Sequence, residues 1–347
     1  MGEKKFVSTF DYPDSPSFRE RSVVIPVKQC PSILEEIKHV FTILRAAKRA
    51  RAMLLDSASG RLQPELLACI IMGFWSKPRR PVIIMAGDMW HKDQGLRGKL
   101  QTIILKLADR AIFRYAPLSR EEFPYFSKAW GIAEKKLRFL PYFYTFTADD
   151  LQSTPPPLED FVFAGGNTHR DYKPLIEAME SLPQHTLIIG SRLLCDTKLP
   201  PNVKAQQFVR DEYIRLMRAA QIVVIPIRQG LIRSTGHQTY LNAMLLKKPT
   251  IVNNILGVRE YTKNGQSAII VDGTPESYIE AIKKASNPEN KIEIEQMCEL
   301  GCGLASGQYT FENHANRLLE IIDEAITDYY QYLPQGVSHF PTIGLRS

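Results

Sequence analysis

The stretch IVVIPIRQGLIRSTGHQTYLNAMLLKKPTIV (222–252) decides how the chain folds. It opens on an uninterrupted apolar run, IVVIPI (222–227), of the kind found in strands buried on both faces. Pro226 closes the run and a loop, Arg228 to Thr235, follows. A helix then opens at Gly236-His237-Gln238-Thr239 and ends before a second buried strand, PTIVN (249–253). Strand, crossover helix and strand make one βαβ unit of a parallel sheet.

The same alternation extends in both directions. Downstream lie AIIVD (268–272) and helices over 275–286 and 310–330. Upstream lie FVFAGG (161–166), a helix over 171–181, TLIIG (186–190), a strand near 204–208 and a helix over 211–220. PYFYTFTADDLQSTPPPLED (141–160) interrupts the rhythm, since three consecutive prolines fit neither a helix interior nor a central strand. Before it, SVVIPV (22–27), AMLL (52–55), PVIIMAG (81–87) and AIFRYA (111–116) alternate with helical periods over 32–50, 63–75, 97–110 and 120–130. The expected fold is α/β: two Rossmann-like doubly wound domains facing a cleft, over 1–145 and 161–325. A Pro-rich linker, 146–160, joins them, and a tail, 326–347, follows.

Charge divides unevenly between these halves. Of 347 residues, 1–150 hold 25 Lys+Arg against 16 Asp+Glu, while 151–347 hold 19 against 21, so the first half carries the whole excess of +7. A one-sided basic balance suits an anionic partner. Helix 34–51 sets Leu34, Ile37, Phe41, Leu44 and Ala47 on one side, with Lys38, Arg45 and Arg49 recurring beside them. Helix 97–110 repeats that spacing with Lys99, Lys106 and Arg110 beside Leu100, Ile103, Ile104 and Leu107. Together with Lys77, Arg79, Arg80, Phe74 and Trp75, these faces are expected to meet an anionic membrane surface. No aromatic–basic interleaving of the RNA-binding kind occurs, so nucleic acid is not an expected partner.

Other signals bound the setting. No apolar run reaches the length of a membrane span, LLACIIMGFW (66–75) being the longest. MGEKKFVSTFDYPD lacks the apolar core of a signal peptide, and Phe6 stands where a myristoylation signal has Ser or Thr. Cysteines 30, 69, 195, 298 and 302 read as free thiols of a reducing compartment. The expectation is a cytoplasmic protein attached peripherally to the inner leaflet.

Two segments carry the chemistry. In FVFAGGNTHRDYKPLIEAM (161–179), Gly165 and Gly166 let backbone approach a ligand, and Arg170 stands at a helix start suited to an anion. In 222–252, Arg228, Arg233, Ser234, Thr235 and the N–H groups of the helix opening at Gly236 make a diphosphate cradle. His169 and His237 flank these elements, and Asn242 lies two turns along the second helix. In the first half, Asp88 and His91 of GDMWHKD (87–93) follow a strand end, where cleft residues belong and a proton-accepting side chain is well placed. Asp56 ends another strand there. Asp88, His91 and Asp93 lack an evident fourth ligand, so no metal site is expected.

Taken in order, Gly165-Gly166…Arg170…Leu175-Ile176, Pro226, Leu241-Asn242-Ala243-Met244…Lys248-Pro249-Thr250-Ile251 and Gly257…Glu260-Tyr261…Asn264-Gly265 resemble the nucleotide-binding domain of GT-B glycosyltransferases. The likeness is to the retaining family-4 type, over about 161–325. PVIIMAGDMW (81–90) and ADRAIFRYAPLSREEFPYFSKAWGIAEKKLRFLP (108–141) are similar to its first domain. Many members carry two Glu eight residues apart where this chain has Ser234 and Asn242, and a His where it has Gly87 followed by Asp88.

The resemblance implies a metal-independent hexosyltransferase using a UDP-sugar, with glucose or galactose moved to a membrane lipid or lipid-linked acceptor with retention. Catalytic roles fall to Asp88, His91, Arg170 and Arg233. The donor is held by Gly165, Gly166, Asn167, Arg170, Gly190, Arg228, Ser234, Thr235, Gly236, His237, Gln238 and Asn242, with no cofactor. Assembly of an exopolysaccharide or cell-surface glycan, or a catalytically degenerate sugar-nucleotide-binding protein, is the alternative.

Overall fold

The two βαβ series form two separate parallel sheets in the computed structural model, which describes residues 6–27, 32–57, 60–76, 80–152, 156–194 and 198–331. Lys77, Arg79, Cys30, Cys195 and the tail beyond Gln331 lie outside the described residues. Unit 1 combines Met1–Pro141 with Glu312–Ser347, and unit 2 is Tyr142–Phe311.

Unit 1 runs β1 (Phe6–Ser8), α1 (Pro16–Arg21), β2 (Ser22–Val24), α2 (Ile33–Ala47), β3 (Ala52–Asp56), α3 (Pro64–Met72), β4 (Val82–Ala86), α4 (Gly95–Asp109), β5 (Ile112–Ala116) and α5 (Glu122–Trp130). Its strand order is β2-β1-β3-β4-β5, and every pairing is parallel. The central strands are apolar on both faces because helices cover both. Ser32 starts α2 with a capping box: its hydroxyl accepts from Glu35 N, and its own N–H donates to the Glu35 carboxylate. Gly131 ends α5 in the left-handed region at φ 69°, a conformation that favours glycine.

Both basic helices turn out to be apolar on two sides. The buried side of α2 is Glu36, Val40, Ile43 and Ala47, and that of α4 is Gly98, Leu105 and Ala108. Much of the stripe picked out by periodicity faces outward, with Leu34, Ile37 and Phe41 exposed on α2 and Leu100 and Ile103 on α4, joined by Leu96, whereas Ala47 is buried and Leu44 and Ile104 pack against the core. A core-facing stripe of small and branched residues satisfies packing, so the larger apolar side chains remain uncovered.

Unit 2 runs α6 (Ala148–Gln152), β6 (Glu159–Gly165), α7 (Lys173–Glu180), β7 (Leu187–Gly190), β8 (Val203–Gln206), α8 (Arg210–Ala219), β9 (Ala220–Ile225), α9 (His237–Leu245), β10 (Thr250–Asn253), α10 (Val258–Tyr261), β11 (Ile269–Val271), α11 (Pro275–Ser286) and α12 (Lys291–Gly307). The order is β11-β10-β9-β6-β7-β8, again all parallel. Most of 146–152 is the short helix α6, whose Asp150 receives a fork from Arg210 on α8 at 2.8 and 2.5 Å. Cys298 and Cys302 lie on α12 as free thiols, as Cys69 does on α3.

The last helix, α13 (Phe311–Gln331), belongs with the first half of the chain, so the boundary expected near 325 falls at 311. Its His314 meets Tyr12, its Asp323 pairs with Arg21, and its Asp328 pairs with Arg114. His314 is 3% exposed. Its Nδ1–H donates to Pro141 O at 2.6 Å, leaving Nε2 to accept from the Tyr12 hydroxyl at 3.0 Å.

Burial pushes the His314 imidazole down to about 4, opposed by the Pro141 bond. Above pH ~6.5 both folded and unfolded states are neutral. As pH falls from ~6.5 to ~4 only the unfolded chain gains the proton, so stability is lost over that window. The loss is about 2 kcal/mol by pH 5 and about 3 by pH 4. Urea unfolding of the native chain and of His314→Gln at pH 7 and 5 should therefore show a smaller acid loss in the variant. Parallel losses would show that His314 does not set the window.

Candidate functional site

In the unit 2 sheet, sheet B, the chain winds from β6 outward to β8 on one side and from β9 outward to β11 on the other. The reversal lies between β6 and β9, and open α/β sheets bind ligands beyond the carboxyl ends of the strands at such a point. The two segments that carry the sequence argument emerge there side by side. Asp171 N donates to Pro226 O at 3.0 Å and Arg228 N to His169 O at 2.8 Å, so the loop after β6 pairs antiparallel with the extension of β9. His169 holds φ 53°, a conformation that a non-glycine residue keeps only under constraint.

Both glycines of the pair are required. A Cβ on Gly165 would overlap the Tyr213 hydroxyl, and Gly166, at φ 110°, would bring one within 2.8 Å of Arg170 Nη2. Gly190, at the end of β7, also lies under the Tyr213 ring, 3.0 Å from a built Cβ to Cδ2.

Arg170 is the hub of this corner. Nε donates to Gly165 O (3.0 Å), Nη1 to Thr168 O (3.1 Å) and Nη2 to Thr239 Oγ1 (2.9 Å). Burial holds the guanidinium below its ordinary value, opposed by Tyr172, Tyr213 and Tyr278 nearby. A guanidinium has five N–H groups, so three are spent on the fold and two are left for an anion. Thr239 and Tyr213 were not singled out from sequence. Thr239 had a signal, three residues after the helix-opening Gly236; Tyr213, within an ordinary amphipathic helix, had none.

Gly236 precedes α9 at φ 83°, where a Cβ would overlap Ile227 Cδ1, and α9 begins without a side-chain cap. The first-turn N–H groups of a helix have no partner within it, which suits an anion at this end. Around it, Arg228 and Gln238 are exposed, whereas Arg233, Ser234 and Thr235 are buried, Arg233 Nε donating to Ser234 O at 3.3 Å. Asn167 bridges to the loop after β7, accepting from Ser191 Oγ and Arg192 N.

Two expected donor residues have other occupations. Asn242 accepts from Thr145 N at 2.8 Å and donates to Thr145 Oγ1 at 3.1 Å, tying α9 to the segment that enters unit 2. His237 is buried among the rings of Tyr142, Tyr240 and Tyr261, at 5.7, 5.6 and 4.7 Å.

The reversal in the unit 1 sheet, sheet A, lies between β1 and β3, whose ends bring Thr9, Phe10, Asp56 and Ser57 together. Thr9 Oγ1 accepts from Asp56 N, and Ser57 Oγ donates to Asp88 O at 2.7 Å. Gly87 there has φ 99°, and a Cβ on it would stand 3.5 Å from Asp56 Oδ1. Asp88 thus belongs to a cluster that includes Asp56, and His91 is half-buried three residues on. Asp93 is apart from them, bonded through its N–H and carboxylate to Gln101 of α4. Among the described residues no three His, Cys, Asp or Glu side chains are grouped to hold a metal ion.

Residues 159–287, which include the whole β6–β9 corner, match the family profile of the glycosyl transferases group 1. The matched residues lie wholly within unit 2. No curated protein matches the chain in sequence. Solved structures resemble it at low identity. Sucrose-phosphate synthase from Thermosynechococcus elongatus is 13% identical, with TM-score 0.65 over 88% of this chain and 84% of that one. Anabaena HepE in complex with UDP is 15% identical, with TM-score 0.66 over 92% and 99%. WaaG, a glycosyltransferase involved in lipopolysaccharide biosynthesis, is 14% identical, with TM-score 0.56 over 87% and 86%. The fold is GT-B, reached by a divergent sequence.

Proposed function

We propose that this glycosyltransferase moves a hexose, glucose or galactose, from a UDP-sugar to a membrane lipid or lipid-linked acceptor, with retention and without a bound metal. The observation that carries the donor half is the β6–β9 corner, where Arg170, the Gly165-Gly166 turn and the opening of α9 converge at the reversal of a sheet matched to the family. HepE, of the same fold, has been solved with UDP and also with UDP and glucose. In the reaction, the bond from sugar C1 to the β-phosphate oxygen breaks with its electrons on UDP. The acceptor oxygen bonds to C1, and its proton passes to Asp88 or His91. The remaining N–H groups of Arg170, Arg228 and the first turn of α9 stabilise the charge gathering on the diphosphate. Asn242 supplies no charge and is engaged with Thr145, so Asn167, Gly190, Ser234 and Thr235 position the donor around that corner.

The acceptor half rests on unit 1. Lys38, Arg45, Arg49, Lys99, Lys106 and Arg110 are all exposed, beside the uncovered apolar side chains of α2 and α4. Such a face suits peripheral docking on an anionic inner leaflet. Among the described residues no helix is long and apolar enough to cross a membrane.

Ser234 and Asn242, in place of the Glu pair of many relatives, favour one other reading: a protein that binds the sugar nucleotide without turning it over. Incubation with labelled UDP-glucose or UDP-galactose and a total membrane-lipid extract separates the two. Label is expected in the organic phase. Saturable UDP binding with no transfer and no donor hydrolysis would support the binding protein, and absence of UDP binding would remove both.

A further inference from the structure

Helix α3 packs between α2 and α4. Beside its end a groove of about 930 Å³ opens, lined by Phe41, Leu44 and Arg45 of α2, by its C-cap Lys48 and by Phe74, Trp75 and Ser76. That volume lies within the range of sites that enclose a small molecule. Its floor is firm, because Leu44 and Trp75 pack against the buried core of unit 1. Its rim is apolar and wet: Phe41 is 65% exposed and Phe74 72%. Among the described residues, Arg45 on α2 and Lys48 at its C-cap are the charged lining residues, and the Arg110 guanidinium stands 5.9 Å from the centre of the Phe74 ring.

We propose that this groove is a binding site for one anionic phospholipid, with an acyl chain along Phe41, Leu44, Phe74 and Trp75 and the head-group phosphate on Arg45 and Lys48. The proposal rests on the membrane reading above and goes beyond it, from a surface attracted to charge to a discrete site for one molecule. Two features select a lipid over an acidic protein helix. The groove sets the Arg45 and Lys48 cations beside apolar walls of Phe41, Leu44, Phe74 and Trp75, which matches a molecule with a charged head and a hydrocarbon tail. The exposed apolar side chains also continue onto α4 at Leu96, Leu100 and Ile103, more breadth than one docked helix covers and what a bilayer surface supplies.

The test uses the full chain and a short-chain phosphatidylglycerol, brominated on its acyl chains and kept below its micelle concentration. Of the three tryptophans, Trp75 alone lines the groove. Saturable quenching is expected, largely abolished in Trp75→Phe. The Arg45→Ala/Lys48→Ala chain should bind roughly 30-fold more weakly. The brominated phosphatidylcholine of the same chain length should bind at least about tenfold more weakly. Both alanines sit on an exposed helix face and suit a helix, so folding is retained.

Equal quenching by phosphatidylcholine, an unchanged affinity in the double variant, or no saturable quenching would overturn the site. So would inorganic phosphate competing at the lipid's own affinity, which would make it a simple anion site. A wild-type dimer in solution that Phe41→Ser dissociates would also overturn it, the groove then being a protein interface. Sedimentation with anionic liposomes separates this from the broader reading. Sedimentation without monomer binding removes the groove and keeps the surface, and monomer binding without sedimentation does the reverse.

Discussion

Replacing Arg170 with methionine is expected to lower sugar transfer by about 10²–10³-fold, the scale seen when one preorganised donor to developing charge is removed. Methionine keeps much of the volume and discards every N–H, so the loss reports hydrogen bonding and charge. The same change leaves Gly165 O, Thr168 O and Thr239 Oγ1 without this donor. Unfolding free energy should therefore fall by about 1–3 kcal/mol. Arg170→Lys retains charge without the planar fork and should fall between the two. Measuring kcat/KM beside urea unfolding distinguishes the roles. A stability loss with unaltered transfer would mark Arg170 as a purely structural residue and move the diphosphate elsewhere.

Gly236→Ala is the second large effect. Alanine pays about 1–2 kcal/mol for the left-handed backbone that Gly236 holds at φ 83°. The overlap of its Cβ with Ile227 Cδ1 adds about 1–3 kcal/mol of overpacking. Relief by displacement moves the start of α9, where the proposed function puts the donor phosphates, so UDP should bind at least about tenfold more weakly. Ile227→Val removes the overlapping methyl. The double variant Gly236→Ala/Ile227→Val should recover the steric part of the stability loss and leave the backbone part. If Gly236→Ala binds UDP as tightly as the native chain, the opening of α9 is not part of the site.

The strands that announce themselves in sequence are those buried on both faces. FVFAGG, IVVIPI and PVIIMAG are continuous apolar runs because helices cover both sides of a parallel sheet. The strand β1 escaped notice because it is three residues long, although it forms one side of the reversal in sheet A. Helix α12 escaped because Gly301, Gly303 and Gly307 interrupt an otherwise helical segment; Gly301 in fact packs close to Ser267 O.

On α2 and α4 the period was legible and the direction was not. A 3.6-residue repeat locates an apolar stripe, but only tertiary packing decides whether Phe41 and Leu100 or Val40 and Leu105 turn inward. At the site, the glycines and Arg170 were legible because turn chemistry and anion binding are local. The occupations of Asn242 and His237 depend on Thr145 and Tyr142, almost a hundred residues earlier, which no local pattern reveals. Membership of α13 in unit 1 is likewise set by distant partners such as Tyr12 and Arg21.

Amide hydrogen exchange of the full chain with and without UDP tests the central claim most directly. Protection is predicted in two segments, Gly166–Arg170 after β6 and Arg228–Thr239 before and into α9, with far less elsewhere in sheet B. Protection confined to unit 1, or to the opposite ends of the unit 2 strands, would contradict the assignment of the nucleotide to the β6–β9 corner.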